Sequence, residues 1–452
     1  MPPILALLLC LGFIWFAYRT DRRTEPEVSA GLWIPLVWVL IIGSRPVSLW
    51  FNLGATISAE SEGSPLDASI YLLLIIAACL VLSKRGINWS EFLGRNQILI
   101  VLFLYIGLSV LWTDDPFVSF KRLIKLVGMP VMALVVLTER EPVTAIKTLA
   151  RRCAYVLIPL SLILNKYFFS LAVRFDSWSG AMEITGVTES KNMLGQLCFV
   201  VSLVLIWAIL TSLQRGEYRS NRRQLLLDGF VLLMAMYLLM KSNSATSKVC
   251  LVLGVAVLLC GHLRLIRWRI ATFLVLGAIA FLILQWTVGI HESMAAALNR
   301  DPTLTNRTDI WRELWTLRGN TLIGTGYEAF WTGERLTKIL ETRRINESHN
   351  GYLEIFLNLG AIGLLLWLLF IVAAYRNCKR RLKYDYELGR VSMSLFTVVV
   401  VYNITEAGFK GLSFMLFLFF LIAIDTWGLY QEEALDEISS PIGYPTISNF
   451  SD

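Results

Sequence analysis

The chain has 452 residues, 56% of them hydrophobic and 17% charged, with a mean hydropathy of +0.61. An average soluble domain carries about 25% charged residues, so the composition excludes a water-soluble globular protein, and long solid apolar runs in place of short alternating ones exclude a β-barrel. The formal net charge of +7 says less in such a chain than where its basic residues stand.

Apolar runs near 20 residues, the length that crosses a ~30 Å hydrocarbon core, recur along nearly the whole sequence. They predict an all-α, polytopic helical membrane protein of about 12–13 transmembrane helices, at 2–18, 31–50, 66–83, 96–112, 123–138, 153–170, 193–213, 224–240, 248–262, 270–290, 351–375, 391–404 and 412–430. The first run has no basic residue before it, and Leu7-Leu8-Leu9-Cys10 lacks the small residues of a lipobox, so it is expected to remain as a transmembrane helix. Seven cysteines, mostly within these runs and without a Cys-x-x-Cys pair, behave as small apolar residues and leave no disulfide framework or zinc site. The expected organisation is a scaffold of about ten spans over 1–290, a long polar extracytoplasmic loop with short interfacial helices over 291–350, C-terminal spans over 351–430, and a cytoplasmic tail over 431–452. No repeat of 20–50 residues or sustained heptad is present.

Lys and Arg in the connections set the orientation. One alternate set (19–30, 84–95, 139–152, 214–223, 263–269, 376–390) holds 23 basic residues, and the short connections opposite (51–65, 113–122, 171–192, 241–247, 405–411) hold 6. The first set is therefore expected in the cytoplasm, and 291–350 outside.

Arg45, Arg122, Lys125, Lys166 and Lys191 stand at the outer ends of spans, where charge is costly without a partner. Arg122 and Lys125 share a helix face. The five together suggest an outward basic pocket for a lipid phosphate, against the plainer reading of snorkelling or pairing with Asp114 and Asp115. In the long loop, Asn306 caps an expected helix that puts Arg307, Trp311, Leu314 and Arg318 on one face, with Trp311 and Trp315 at headgroup level. The plainer reading is an interfacial helix with solvated arginines. Asn320 ends that helix, Gly324-Thr325-Gly326 turns the chain, and a second helix runs from Gly333 to Arg343. Gly-x-Gly by itself is weak evidence for phosphate binding. Of three histidines, His262 stands among arginines expected in the cytoplasm and His291 at a loop edge, so neither invites a role, whereas His349 stands where the loop enters span 351–375. Imidazole takes a proton near neutral pH and suits activation of a hydroxyl, though a lone histidine is more often structural.

The order Lys191-Asn192-x-x-Gly195, Ser242-Asn-Ser244-Ala-Thr246-Ser247, Asn306-Arg307-x-x-Ile310-Trp311, Gly324-x-Gly326, His349-Asn350-Gly351-Tyr352-Leu353, Gly360-x-x-Gly363-Leu364 and then Glu406 resembles the O-antigen ligase and O-antigen polymerase superfamily, in its exopolysaccharide polymerase-like branch. The resemblance covers roughly 180–410, with Ser119-x-x-Arg122 the one upstream match. It implies a metal-independent glycosyltransferase without cofactor in the bacterial cytoplasmic (inner) membrane, active on the periplasmic or outer side. The implied partners are an undecaprenyl-diphosphate-linked glycan donor, a glycan or lipid A core acceptor, membrane lipids and polysaccharide export machinery, with no nucleic acid. Carried onto this chain, Arg307, Arg122, Lys191 and Lys125 would hold the donor diphosphate, and His349 would position or deprotonate the acceptor. Asn192, Asn350, Trp311 and Glu406 would support them. One departure stands out: Ala245 follows Ser244 where many relatives carry Arg. A transporter or flippase for a lipid-linked or anionic solute is the alternative, and a non-catalytic receptor or assembly subunit a third. The large loop ending in a single histidine favours the enzyme.

Overall fold

The computed structural model describes residues 1–24, 28–51, 64–175, 180, 182–219, 221–260, 307–342 and 345–426. The expected span 270–290, His262, the basic connection 263–269, the loop start 291–306 with His291 and the Asn306 cap, Arg343, and the tail from 431 lie outside the described residues.

The remaining apolar runs form helices, the arrangement that satisfies backbone groups within one segment where water is absent. They are α1 Pro3–Thr24, α2 Trp33–Ile42, α3 Pro65–Ser83, α4 Trp89–Arg95, α5 Gln97–Ser109, α6 Pro116–Leu137, α7 Pro142–Tyr167, α8 Lys191–Gln214, α9 Arg222–Lys241 and α10 Ala245–Cys260, followed in the polar loop by α11 Arg307–Thr316 and α12 Gly333–Thr342, and then by α13 Gly351–Tyr384, α14 Tyr386–Thr405 and α15 Phe414–Ala423. Side chains of Ser64, Asn88, Asp115, Ser190, Asn350, Asp385 and Ser413 accept the first free amides of their helices. A short hairpin, β1 Val173–Phe175 with β2 Met182–Ile184, pairs Arg174 with Glu183.

The chain is a multi-pass all-α membrane protein. Among the described residues α1, α3, α8, α9, α13 and α14 are each long and apolar enough to cross a membrane, and α4 with α5 forms a pair bent by 85°. Helices α6 and α7 are as long but carry Lys121, Arg122 and Lys125, and Lys147, Arg151, Arg152 and Lys166. Helix α15, inside the expected span 412–430, has ten residues and rises about 15 Å, half a hydrocarbon core. All ten are buried, with α6, α13 and α14 around them, so over its described part this segment is a core element. Helices α8 and α14 are largely buried, whereas α1, α3 and α9 turn Leu8, Trp15, Leu72, Leu73, Phe230 and Leu233 outward.

Contacts between connections sort the bundle into two ends. At one, Glu139 meets Ser29 and Arg85, Asn96 meets Asp425, and Arg390 meets Gln214. At the other, Arg45 meets Thr188, Asn192 meets Glu406, and Trp112 meets Ile323. The described connections of the basic set thus gather at one end and those of the sparse set at the other. Near the basic end, buried Arg151 pairs with Asp228 at 3.0 Å and buried Arg152 with Asp21 at 2.8 Å. Leaving such charges unpaired costs several kcal/mol.

Candidate functional site

The polar loop is built into the bundle through a break in α13. Gly360 leaves the helical conformation (φ 66, ψ −167). An unbroken helix would bond the amides of residues 361 and 362 to the carbonyls of 357 and 358. Here Ala361 and Ile362 donate instead to Thr321 O (2.9 Å) and Leu322 O (3.1 Å), while Thr325 and Gly326 donate to Leu357 O (3.3 Å) and Asn358 O (2.8 Å). Tyr105 satisfies the carbonyl of Leu359 at 2.8 Å. The Gly324-x-Gly326 turn therefore serves the backbone ladder. A Cβ on Gly324 would lie 2.3 Å from Asn358 O, and Gly324 has φ 68, a region most residues avoid.

The His-Asn-Gly-Tyr element clasps the C-terminal end of α14. Gly351 N donates to Glu406 O (3.0 Å), Asn350 Nδ2 to Ile404 O (3.0 Å) and the Tyr352 hydroxyl to Val400 O (3.0 Å). These bonds occupy carbonyls near a helix end, the last of which lack helical partners. The approach is close enough that a Cβ on Gly351 would lie 2.0 Å from Asn403 Oδ1. His349 itself is left-handed, with φ 52, a conformation costing of order 1–3 kcal/mol that persists only where the surroundings impose it. The flanks impose it. Ser348 N donates to Glu354 Oε1 (2.6 Å), Trp311 Nε1 to Ser348 O (2.8 Å) and Ser348 Oγ to Asn350 O (2.9 Å). Buried Glu354 also accepts Trp331 Nε1 at 2.8 Å, which ties the loop to α13.

Glu406 is the hub. Its Oε1 is 2.8 Å from Arg307 Nη2, and its Oε2 accepts Asn192 Nδ2 at 3.2 Å and lies 3.8 Å from His349 Nδ1. His349 Nδ1 is also 3.0 Å from Glu347 Oε1, outside hydrogen-bond alignment. Burial alone would lower the imidazole's affinity for protons, but Glu347 and Glu406 outweigh it and raise its pKa to about 9. Burial works to raise Glu347, and His349, Lys410 and Arg307 override it and hold that carboxyl at about 2. The resting site thus holds an imidazolium between carboxylates. Charge and hydrogen-bond donation are what that form of His349 offers, and it must lose its own proton before accepting another. Ligand atoms of Glu347, His349 and Glu406 lie within 4.8 Å of one another, a spacing that could hold a metal ion. Arg307 already supplies positive charge on Glu406.

Arg307, His349 and Asn192 converge on Glu406, with Asn350 and Trp311 holding the turn around His349. Lys191 stands beside Asn192 but pairs with Glu183 of β2. Arg122 donates to Glu328 O in the loop, and Lys125 lies 5.9 Å from the centre of the Tyr71 ring. Two of the five outer-end cations are engaged elsewhere. Arg45 donates to Leu171 O, Gly186 O and Thr188 O, spending its guanidinium on the carbonyls of 171–188, and Lys166 lies over Tyr167. The helix expected to present Arg318 ends at Thr316, and Arg318 instead covers the Trp315 ring. The Ser-rich stretch packs against α8: a Cβ on Gly195 would lie 2.6 Å from Ser247 Oγ. Sequence reasoning missed Glu347 and Lys410. Lys410 donates to Asn346 O and lies 4.7 Å from the centre of the Trp331 ring; its signal was being the one cation of connection 405–411.

A family model described as O-Antigen ligase matches residues 229–368, a stretch holding both Arg307 and His349. The chain is also 26% identical over 331 residues to the exopolysaccharide production protein ExoQ of Rhizobium meliloti (strain 1021), covering 69% of this chain and 72% of that protein.

Proposed function

We propose, on the match to an O-antigen ligase family model and the likeness to an exopolysaccharide production protein, that the chain is a surface polysaccharide biosynthesis enzyme of the O-antigen ligase/polymerase-like kind, and that it moves a glycan from an undecaprenyl-diphosphate-linked donor to an acceptor hydroxyl at the outer face of the cytoplasmic membrane. The observation that carries this reading is Arg307 and His349 converging on Glu406, at 2.8 and 3.8 Å. A diphosphate leaving group needs its developing charge met, and the Arg307 guanidinium can meet it without a metal. Arg307 turns from Glu406 to the diphosphate. The acceptor hydroxyl oxygen attacks the anomeric carbon, the bonding pair to the old oxygen leaves with the diphosphate, and the hydroxyl proton passes to a phosphate oxygen of that departing group. His349 orients the acceptor, with Glu347 and Glu406 fixing its ring. Arg122, Lys125 and Lys191 shape the donor's approach from the scaffold 1–290, the loop 291–350 carries the chemistry, and the spans of 351–430 hold His349 in place. The likeness to an exopolysaccharide production protein favours a second glycan chain over lipid A core as acceptor.

In vesicles holding the purified protein and a lipid-diphosphate glycan, His349→Ala and Arg307→Ala should each abolish transfer while inserting normally. Full transfer by His349→Ala sinks the assignment. A cysteine introduced at Thr332 should be labelled from outside intact cells, and labelling only after permeabilisation overturns the sidedness.

A further inference from the structure

The connection between α14 and α15 carries more than Glu406. Four residues after the carboxylate that holds Arg307 stands Lys410, whose ammonium donates to Asn346 O beside Glu347 and lies 4.7 Å from the centre of the Trp331 ring. The platform is hydrogen-bonded on several sides. Trp331 is buried and tied to Glu354, Gly411 N donates to Glu328 Oε1 at 2.9 Å, and Lys410 N closes a turn on Ala407 O at 3.0 Å. An ammonium has three donors. One goes to Asn346, and a cation above a ring face is held without spending another. Lys410 and Arg307 both bear on the Glu347 carboxylate, which brings the two cations to one site. A diphosphate presents two phosphate groups, whereas Arg307 is one guanidinium. Resting on the donor reading above, we propose that Lys410 is a second cation for the donor, binding the phosphate that Arg307 does not reach and so favouring a diphosphate carrier over a monophosphate.

The full chain in nanodiscs tests this through donor and acceptor KM for wild type, Lys410→Gln and Lys410→Arg. A hydrogen bond to a charged group corresponds to about tenfold or more in affinity. Lys410→Gln should therefore raise donor KM by about that factor, leave acceptor KM unchanged, and be largely rescued by Lys410→Arg. Inorganic pyrophosphate should inhibit wild type more strongly than inorganic phosphate does, and Lys410→Gln should lose that difference. An unchanged donor KM in folded Lys410→Gln overturns the proposal. So does a Lys410→Arg variant as impaired as Lys410→Gln with the same loss of thermal stability, which marks a clamp on Asn346 and nothing more. Direct calorimetry of pyrophosphate binding keeps the two ideas apart. If wild type transfers no glycan, the functional reading fails, while pyrophosphate binding that Lys410→Gln weakens still supports the cation's role and equal binding by both proteins refutes it.

Discussion

Replacing Gly351 by Ala adds one methyl group at the tightest point of the clasp between α13 and α14. That carbon would stand 2.0 Å from Asn403 Oδ1, 2.8 Å from its Cγ and 3.1 Å from its Cβ, where ordinary contact begins at 3.4 Å. About 1.4 Å must be found, and Asn403 is fully buried, so much of the shift falls on the start of α13, two residues from His349. Overpacking of this kind costs about 1–3 kcal/mol, and a misplacement near 1 Å at reacting groups costs about 100-fold in rate. Gly351→Ala in nanodiscs should therefore transfer glycan about 100-fold more slowly than wild type and unfold at lower temperature. Asn403 offers a control. Its Oδ1 is buried without a partner and its Nδ2 bonds within its own helix to Val399 O at 2.8 Å, so Asn403→Ala should cost little and restore most activity to Gly351→Ala. A wild-type rate in Gly351→Ala, or no recovery in the double variant, would refute the claim that this clasp places His349.

With His349 raised to about 9 from an ordinary 6.5, the imidazolium is the resting form, so transfer should hold through neutral pH and fall as pH passes about 9. His349→Gln should remove that alkaline limb, and a rate that climbs toward pH 9 would assign a base instead. The same shifts act on stability. The His349 contribution is complete below about 6.5 and fades as pH rises through 9; that of Glu347, lowered from 4.5 to about 2, is complete above 4.5 and is lost as pH falls to 2, which thermal melts across pH can read. Gly324→Ala meets the Asn358 carbonyl and a left-handed φ together, so it should cost more than about 2 kcal/mol and open the loop to proteolysis; an unchanged protease pattern would count against the ladder insertion. Chelation with EDTA should leave the rate unchanged, and a loss restored by one divalent ion would give Glu347, His349 and Glu406 a ligand role.

The helices were legible because hydrocarbon imposes a length and a composition that composition-level reading detects. His349 was legible for a similar reason: a single imidazole at the mouth of a span stands out against apolar sequence. Partnership was not. Arg45 and Lys191 look alike in sequence, yet one is spent on the carbonyls of Leu171, Gly186 and Thr188 and the other on Glu183, and charge pattern does not say which oxygen a cation will find. Glu347 reaches the site only because His349 adopts a left-handed turn, and Lys410 only because the connection after α14 folds back onto Asn346. The purpose of Gly324-x-Gly326 depends on a break at Gly360, which an uninterrupted apolar run does not announce.

The most direct test follows both products at once. In nanodiscs supplied with an undecaprenyl-diphosphate glycan and an acceptor chain, each bond formed to the acceptor should release one undecaprenyl diphosphate, and Arg307→Ala should abolish both signals together. Carrier release without acceptor extension, or extension that continues in Arg307→Ala, would contradict the assignment of this site to glycan transfer.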